Sequence, residues 1–187
     1  MAAQSTLKNM LLCLTLVCLF CAAILGGVYA MTYKPIQKTN ENILKASLGA
    51  VLPEGGTISE EKTAVYDGRT YTYYEQLDGN SVQAYAVKSA TSGFGGRLEL
   101  MVGVLPDGTV NNTKVISHSE TPGLGAKCQT DVKFIDQFKG FAPGRSLKLR
   151  ADGGEVDAIT ASTITSRAYT LAVSNAVELV KSLKKEN

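Results

Sequence analysis

No charged side chain occurs between Lys8 and Lys34, and that interval constrains the chain more than any other feature. Within it, Met10 to Met31 is apolar apart from Thr15 and Tyr29. At about 1.5 Å per residue, a helix over this stretch crosses roughly 30 Å of hydrocarbon, so a membrane span is expected. A cleaved signal peptide competes with that reading, because Val28 and Ala30 are small residues of the kind a signal peptidase accepts. The run exceeds a usual signal core of roughly 7–15 residues and only Lys8 precedes it, which favours retention. Lys8 on one side faces Lys34, Lys38 and Lys45 on the other, a balance that leaves the sidedness of the span open.

The remainder of the 187 residues, beyond the span, is long enough for one domain with its own core. The expected organisation is a short tail over residues 1–9, a transmembrane helix over 10–31, a juxtamembrane helix and linker over 32–56, and a folded domain over 57–187. Cys13, Cys18 and Cys21 lie in the apolar run and Cys128 stands alone, so neither a disulfide framework nor a zinc spacing exists. His118 is the only histidine, which excludes a histidine metal cluster within this chain. A net charge of +2, evenly spread, gives nucleic acid nothing to bind.

Lys34-Pro35 predicts a break or kink, after which Ile43, Leu44, Leu48 and Val51 at helical spacing predict a helix over Thr39 to Leu52. From Thr63 to His118, short runs of Val, Tyr, Thr and Leu between Asp67-Gly68, Asp78-Gly79 and Asp107-Gly108 predict an antiparallel meander. Its clearest pair is Arg97 to Leu105 with Thr109 to His118, where Leu98, Leu100, Val102 and Val104 alternate toward a core. The loop SHSETPGLGAK, Ser117 to Lys127, is predicted to lack regular structure. Asp131 is placed to cap a short helix carrying Phe134, Ile135 and Phe138, and strands are predicted at Ser146 to Arg150 and Val156 to Ile159. Ala168, Leu171, Ala172, Ala176, Leu179, Val180 and Leu183 form the apolar stripe of a final helix. Together these elements predict an α+β domain of antiparallel sheet and packed helices behind a single transmembrane helix.

Directly before the final helix stands DAITASTITS, Asp157 to Ser166, a ladder of hydroxyls at the helix's positive end, where a phosphate is favoured. Plain helix capping explains such a cluster equally well. Asp157 reads either as a solvated turn carboxylate or as a group that positions the acceptor hydroxyl or a divalent metal. Glu120 and Thr121 lie on a loop whose glycines let backbone approach a planar ligand, although a surface turn explains them too. Ser92-Gly93-Phe94-Gly95-Gly96 reads as a hairpin entrance or as a glycine-rich wall with an aromatic edge. For His118 and Cys128 the structural reading is favoured over a catalytic one.

Three segments in order, SGFGG at Ser92 to Gly96, SHSETPGLGAK and DAITASTITS, resemble the FMN-binding domain family found in the G subunit of Rnf electron-transport complexes and the C subunit of sodium-pumping NADH:quinone reductases. The family's attachment pattern is Asp, two variable residues, Ser or Thr, Gly, Ala, Thr. Here it runs Asp157, Ala158, Ile159, Thr160, Ala161, Ser162, Thr163, with Ala161 in place of glycine and Ser162 in place of alanine.

The resemblance implies FMN joined to Thr163 through a phosphoester, with Glu120, Thr121, Gly123, Leu124, Gly125, Lys127, Thr160, Ser162, Ile164 and Thr165 around it, no catalytic residue and no resident metal. It further implies an electron-transfer subunit of a membrane-bound ferredoxin:NAD oxidoreductase that moves sodium ions or protons, with its domain on the extracytoplasmic side. Implied partners are the other Rnf membrane subunits, above all the D subunit with its own covalent FMN, then the iron–sulfur subunits, and a flavin transferase using FAD and magnesium during maturation. The chain's length favours the Rnf subunit over the longer C subunit of the reductases. Rival readings are a cofactor-free, membrane-anchored interaction module and a freestanding extracytoplasmic flavoprotein.

Overall fold

The computed structural model describes residues 7–79 and 81–186, so residues 1–6 of the expected tail lie outside it, while residues 7–9 already belong to a helix. That helix, α1, runs over Leu7–Val51 with Pro35 inside it. The expected break is absent. Proline removes one amide donor, which leaves the Met31 carbonyl without its helical partner, but its φ of about −65° suits a helix. By packing, the chain divides into two units, one ending at Ile43 and one beginning at Leu44. In the first, every described residue is exposed and the helix is long and apolar enough to cross a membrane.

The second unit is built on strands β1 (Thr57–Ile58), β2 (Lys62–Tyr66), β3 (Arg69–Asp78), β4 (Ser81–Ser92), β5 (Arg97–Val104) and β6 (Val110–His118). They form one antiparallel sheet in the order β1-β3-β4-β5-β6, with β2 also paired to β3. The meander is therefore as expected. β5 and β6 pair Leu98 with His118, Leu100 with Val115 and Val102 with Thr113, with register shifts at Glu99/Leu100 and Gly103/Val104.

A final helix, α3 (Thr163–Glu186), lies against β4 and β5. Leu98, Leu100, Val102 and Val104 meet Tyr169, Ala172, Val173, Ala176 and Val180 in the main core. Leu171, predicted on the apolar stripe, is instead 52% exposed. The rest of the predicted stripe is buried or packs on the core, and Tyr169, Val173 and Val177, which it omits, widen the buried face. Tyr169 packs on Phe134 and Phe138, and its hydroxyl pairs with Thr113 Oγ1 at 2.7 Å, so the phenol is buried with its polar atom satisfied.

The sheet's other face is also covered. Leu48, Val51 and Leu52 pack against Tyr74, Ala84, Ala86 and Met101. The Val51 carbonyl lies where a side chain on Gly103 would stand, so only glycine admits this close approach. Asn111 and Asn112 donate their side-chain amides to the carbonyls of Val51 and Ala50 at 2.8 and 2.9 Å, satisfying groups that a helix end leaves open.

Beyond β6, the loop predicted to be irregular contains a 3-10 turn over Gly125–Gln129, closed by Lys127 N–H to the Leu124 carbonyl. Next comes α2 (Val132–Ile135), capped by the Asp131 carboxylate, which accepts from the N–H groups of Lys133 and Phe134 as predicted. The strands predicted at Ser146 to Arg150 and Val156 to Ile159 do not form. These segments meet each other through a single parallel bridge, Leu149 with Val156. A tight turn at Gly153, φ 79°, folds one onto the other, so neither reaches the sheet.

Candidate functional site

The first helical hydrogen bond of α3 runs from Ser166 N–H to the Ser162 carbonyl at 3.0 Å. The N–H groups of Thr163, Ile164 and Thr165 therefore precede any helical acceptor and point out of the helix's positive end. The approach to this end is tightly bound. Ser162 N–H donates to the Ile159 carbonyl at 3.0 Å, while Ser166 Oγ donates to the Ser162 carbonyl and accepts from Ile159 N–H, both at 2.9 Å. Such a turn requires Ala161 at φ 61°, a left-handed conformation that suits glycine better than alanine.

In front of this helix end lies a cleft of ≈ 380 Å³. One wall is Ala161 to Thr165, the opposite wall comes from Glu120, Thr121, Leu124 and Gly125, and Phe94 stands at the rim. Phe94, Leu124 and Ile164 are exposed apolar side chains from three separate segments, so the mouth offers a greasy surface. Two buried polar atoms in the lining have no hydrogen-bond partner, Ser162 Oγ and Glu120 Oε1.

Glu120 joins the two walls. It is 5% exposed, and its Oε2 accepts from Thr165 Oγ1 at 2.8 Å. Glycines flank it for a steric reason: a methyl on Gly93 would collide with Oε1, and one on Gly125 with Oε2 and with the Thr165 hydroxyl. His118 helps to hold the loop. Its Nδ1 accepts the Glu120 N–H at 3.2 Å, which leaves Nε2 as the protonated nitrogen facing Gln129 Oε1 at 3.1 Å. Burial, reinforced by the charge of Glu120, pushes the Cys128 thiol up to about 11, so this cysteine stays protonated and unreactive at neutral pH.

Of the residues singled out from the sequence, Thr163, Ser162, Ile164, Thr165, Glu120, Thr121, Leu124 and Gly125 meet in this cleft. Gly123, Lys127 and Thr160 do not line it. Gly123, at φ 78°, shapes the turn before the cleft wall, whereas Lys127 and Thr160 are both exposed outside the lining. Asp157 is also outside the lining, forming an exposed 2.7 Å ion pair with Arg150 while Gln137 brackets its backbone. Ala161 is the lining residue that sequence reasoning passes over except as a small neighbour, although its place in the attachment pattern, where glycine is usual, is a usable signal. Among the described residues no cluster of His, Cys, Asp or Glu is suited to a metal.

The sequence profile of the FMN-binding domain matches residues 93–178, the stretch that contains both walls of the cleft. The chain is 33% identical to the G subunit of the proton-translocating ferredoxin:NAD(+) oxidoreductase complex of Clostridium ljungdahlii, over 89% of this chain and 88% of that protein. It is 34% identical to the G subunit of the ion-translocating oxidoreductase complex of Vibrio cholerae serotype O1, over 81% of this chain and 79% of that protein. The chain belongs to this family of G subunits. As a family member it carries an FMN-binding domain behind its apolar helix. The fold is shared more widely: the crystal structure of the C subunit of the Na(+)-translocating NADH-quinone reductase from Parabacteroides distasonis superposes with a TM-score of 0.53 at 20% identity, covering 81% of this chain and 93% of that one.

Proposed function

We propose that this chain is the electron-transfer subunit of a membrane-bound ferredoxin:NAD oxidoreductase, carrying FMN through a phosphoester on Thr163. The observation that carries this reading is the position of Thr163, a half-buried hydroxyl residue in the cleft wall at a helix end whose first-turn N–H groups have no helical acceptor. The cleft fits the cofactor on its own terms. It combines open amides for an anionic phosphate, two buried polar atoms lacking partners, and an apolar rim for a flat ring.

Bound FMN supplies one- and two-electron redox chemistry. The chain's part is to hold and surround it. Thr163 Oγ1 would bear the phosphoryl group, and the N–H groups of Thr163, Ile164 and Thr165 would donate hydrogen bonds to its oxygens. Phe94, Leu124 and Ile164 keep water from the ring, and Glu120 fixes the two walls at one separation.

In this reading residues 10–31 span the membrane, the juxtamembrane helix and linker over 32–56 lead into the domain and from Leu44 already pack with it, and the domain over 57–187 lies on the extracytoplasmic side. Its neighbours are the other membrane subunits, in particular a D subunit with its own covalent FMN, and the iron–sulfur subunits, while a flavin transferase loads Thr163. Electron flow through the assembly drives sodium ions or protons across the membrane. Relatives at 33% and 34% identity favour this assignment over the C subunit of a reductase, which shares the fold at 20%.

Intact-mass measurement of the chain produced with a flavin transferase tests the proposal. The expected gain is FMN less one water, absent from Thr163→Val. An unmodified mass for the native chain, with colourless protein, overturns it and leaves the cofactor-free interaction module.

A further inference from the structure

Ser162 stands where the attachment pattern has alanine, and its hydroxyl is unaccounted for. A serine at the residue before a helix normally turns its oxygen onto the N–H groups of the first turn. Here Ser162 Oγ makes no such bond, nor any other, although the residue is only 7% exposed. Its backbone cannot shift to find a partner, because both its N–H and its carbonyl are committed at 3.0 Å, to Ile159 and Ser166. What remains free is rotation about the Cα–Cβ bond, and the residue lines the cleft beside Thr163.

A buried hydroxyl with no partner is costly, and the cost disappears when a ligand oxygen completes it. The neighbouring groups specify that ligand. Three amides from the first turn of α3 favour an anion, and the Thr165 hydroxyl of the same turn is already committed to Glu120. The Glu120 carboxylate opposes a second negative charge nearby, so an additional neutral donor has most effect here.

We infer that the Ser162 hydroxyl is a phosphate-binding donor that makes this chain discriminate FMN from riboflavin, the same ring system without the phosphate. The inference rests on the reading of the cleft as a flavin site. It assigns to Ser162 a hydrogen bond to a phosphate oxygen, with no bond made or broken.

Full-length chain produced without a flavin transferase, held in detergent and titrated with FMN and with riboflavin by flavin fluorescence, tests this directly. Ser162→Ala restores the residue usual at this position, so folding is not at stake. The expected result is about tenfold weaker FMN binding with riboflavin binding unchanged. An equal loss for both flavins, or no loss for FMN, overturns the inference. Should the unloaded chain hold neither flavin, the phosphorus NMR resonance of the loaded chain decides: Ser162→Ala must move it, and an unmoved resonance is equally fatal. Absence of FMN mass on Thr163 refutes the covalent reading separately, since preference for the phosphorylated flavin is measured without that bond.

Discussion

Thr165 donates its hydroxyl to Glu120 Oε2 at 2.8 Å, joining residues 45 positions apart and fastening the loop after β6 to the first turn of α3. The bond is buried, and Glu120 Oε1 has no partner, so Thr165 is the carboxylate's one side-chain donor among the described residues.

Thr165→Val keeps the shape and removes the donor. Leaving a buried carboxylate with neither oxygen bonded costs about 1.5–3 kcal/mol. Urea unfolding should show a lower midpoint with an unchanged slope. Thr165→Ser should regain most of the loss, and equal stability of the valine variant would show that the bond contributes nothing.

Gly125→Ala places a methyl against both the Glu120 carboxylate and the Thr165 hydroxyl. The substitution should destabilise by roughly 1–3 kcal/mol, the usual range for overpacking. Combining it with Glu120→Ala removes one of the two groups that the methyl meets. The double variant should therefore be more stable than the sum of the single effects predicts, a non-additivity that a thermal-unfolding cycle measures.

Ala161→Gly removes the penalty of an alanine at φ 61°. The left-handed cost of about 1–2 kcal/mol outweighs the entropy of an added glycine, roughly 0.5–1 kcal/mol, so the variant should be slightly more stable. Ala161→Val, branched at Cβ, should move the midpoint the other way. A destabilised glycine variant would contradict the strain.

Cys128 should resist iodoacetamide at pH 8 in the folded protein and react once urea is added, as peptide mass mapping would reveal. Its thiol rises from an ordinary value of 9.0 to about 11 on folding, so between these values the folded state binds more protons than the unfolded one. Stability should fall as pH climbs from about 9 toward about 11. Rapid labelling of the native chain at pH 8 would refute the burial.

Much of the fold and the cleft is legible in the sequence because the signals are local. Alternating Leu98 to Val104 specify β5, and Asp131 marks the start of α2. Thr163, Glu120 and Gly125 carry motifs that converge on one cleft. Elsewhere long-range packing makes the choice, and local pattern misleads. The segments around Leu149 and Val156 have strand-like composition but find only each other. Leu171 has helical spacing yet faces out, because Tyr169 and its phenylalanine neighbours occupy the helix's inner face. The unpaired state of Ser162 Oγ depends on backbone bonds to Ile159 and Ser166 that no spacing rule displays.

The amides of Asn111 and Asn112 and the bare Cα of Gly103 receive the last turn of α1 as part of the sheet's own wall. A water-soluble truncation for crystallisation or electrochemistry therefore has to start near Leu44. One trimmed to Thr57, where the first strand begins, would strip Met101 and Tyr74 of their cover and yield an aggregating protein whose failure says nothing about flavin chemistry.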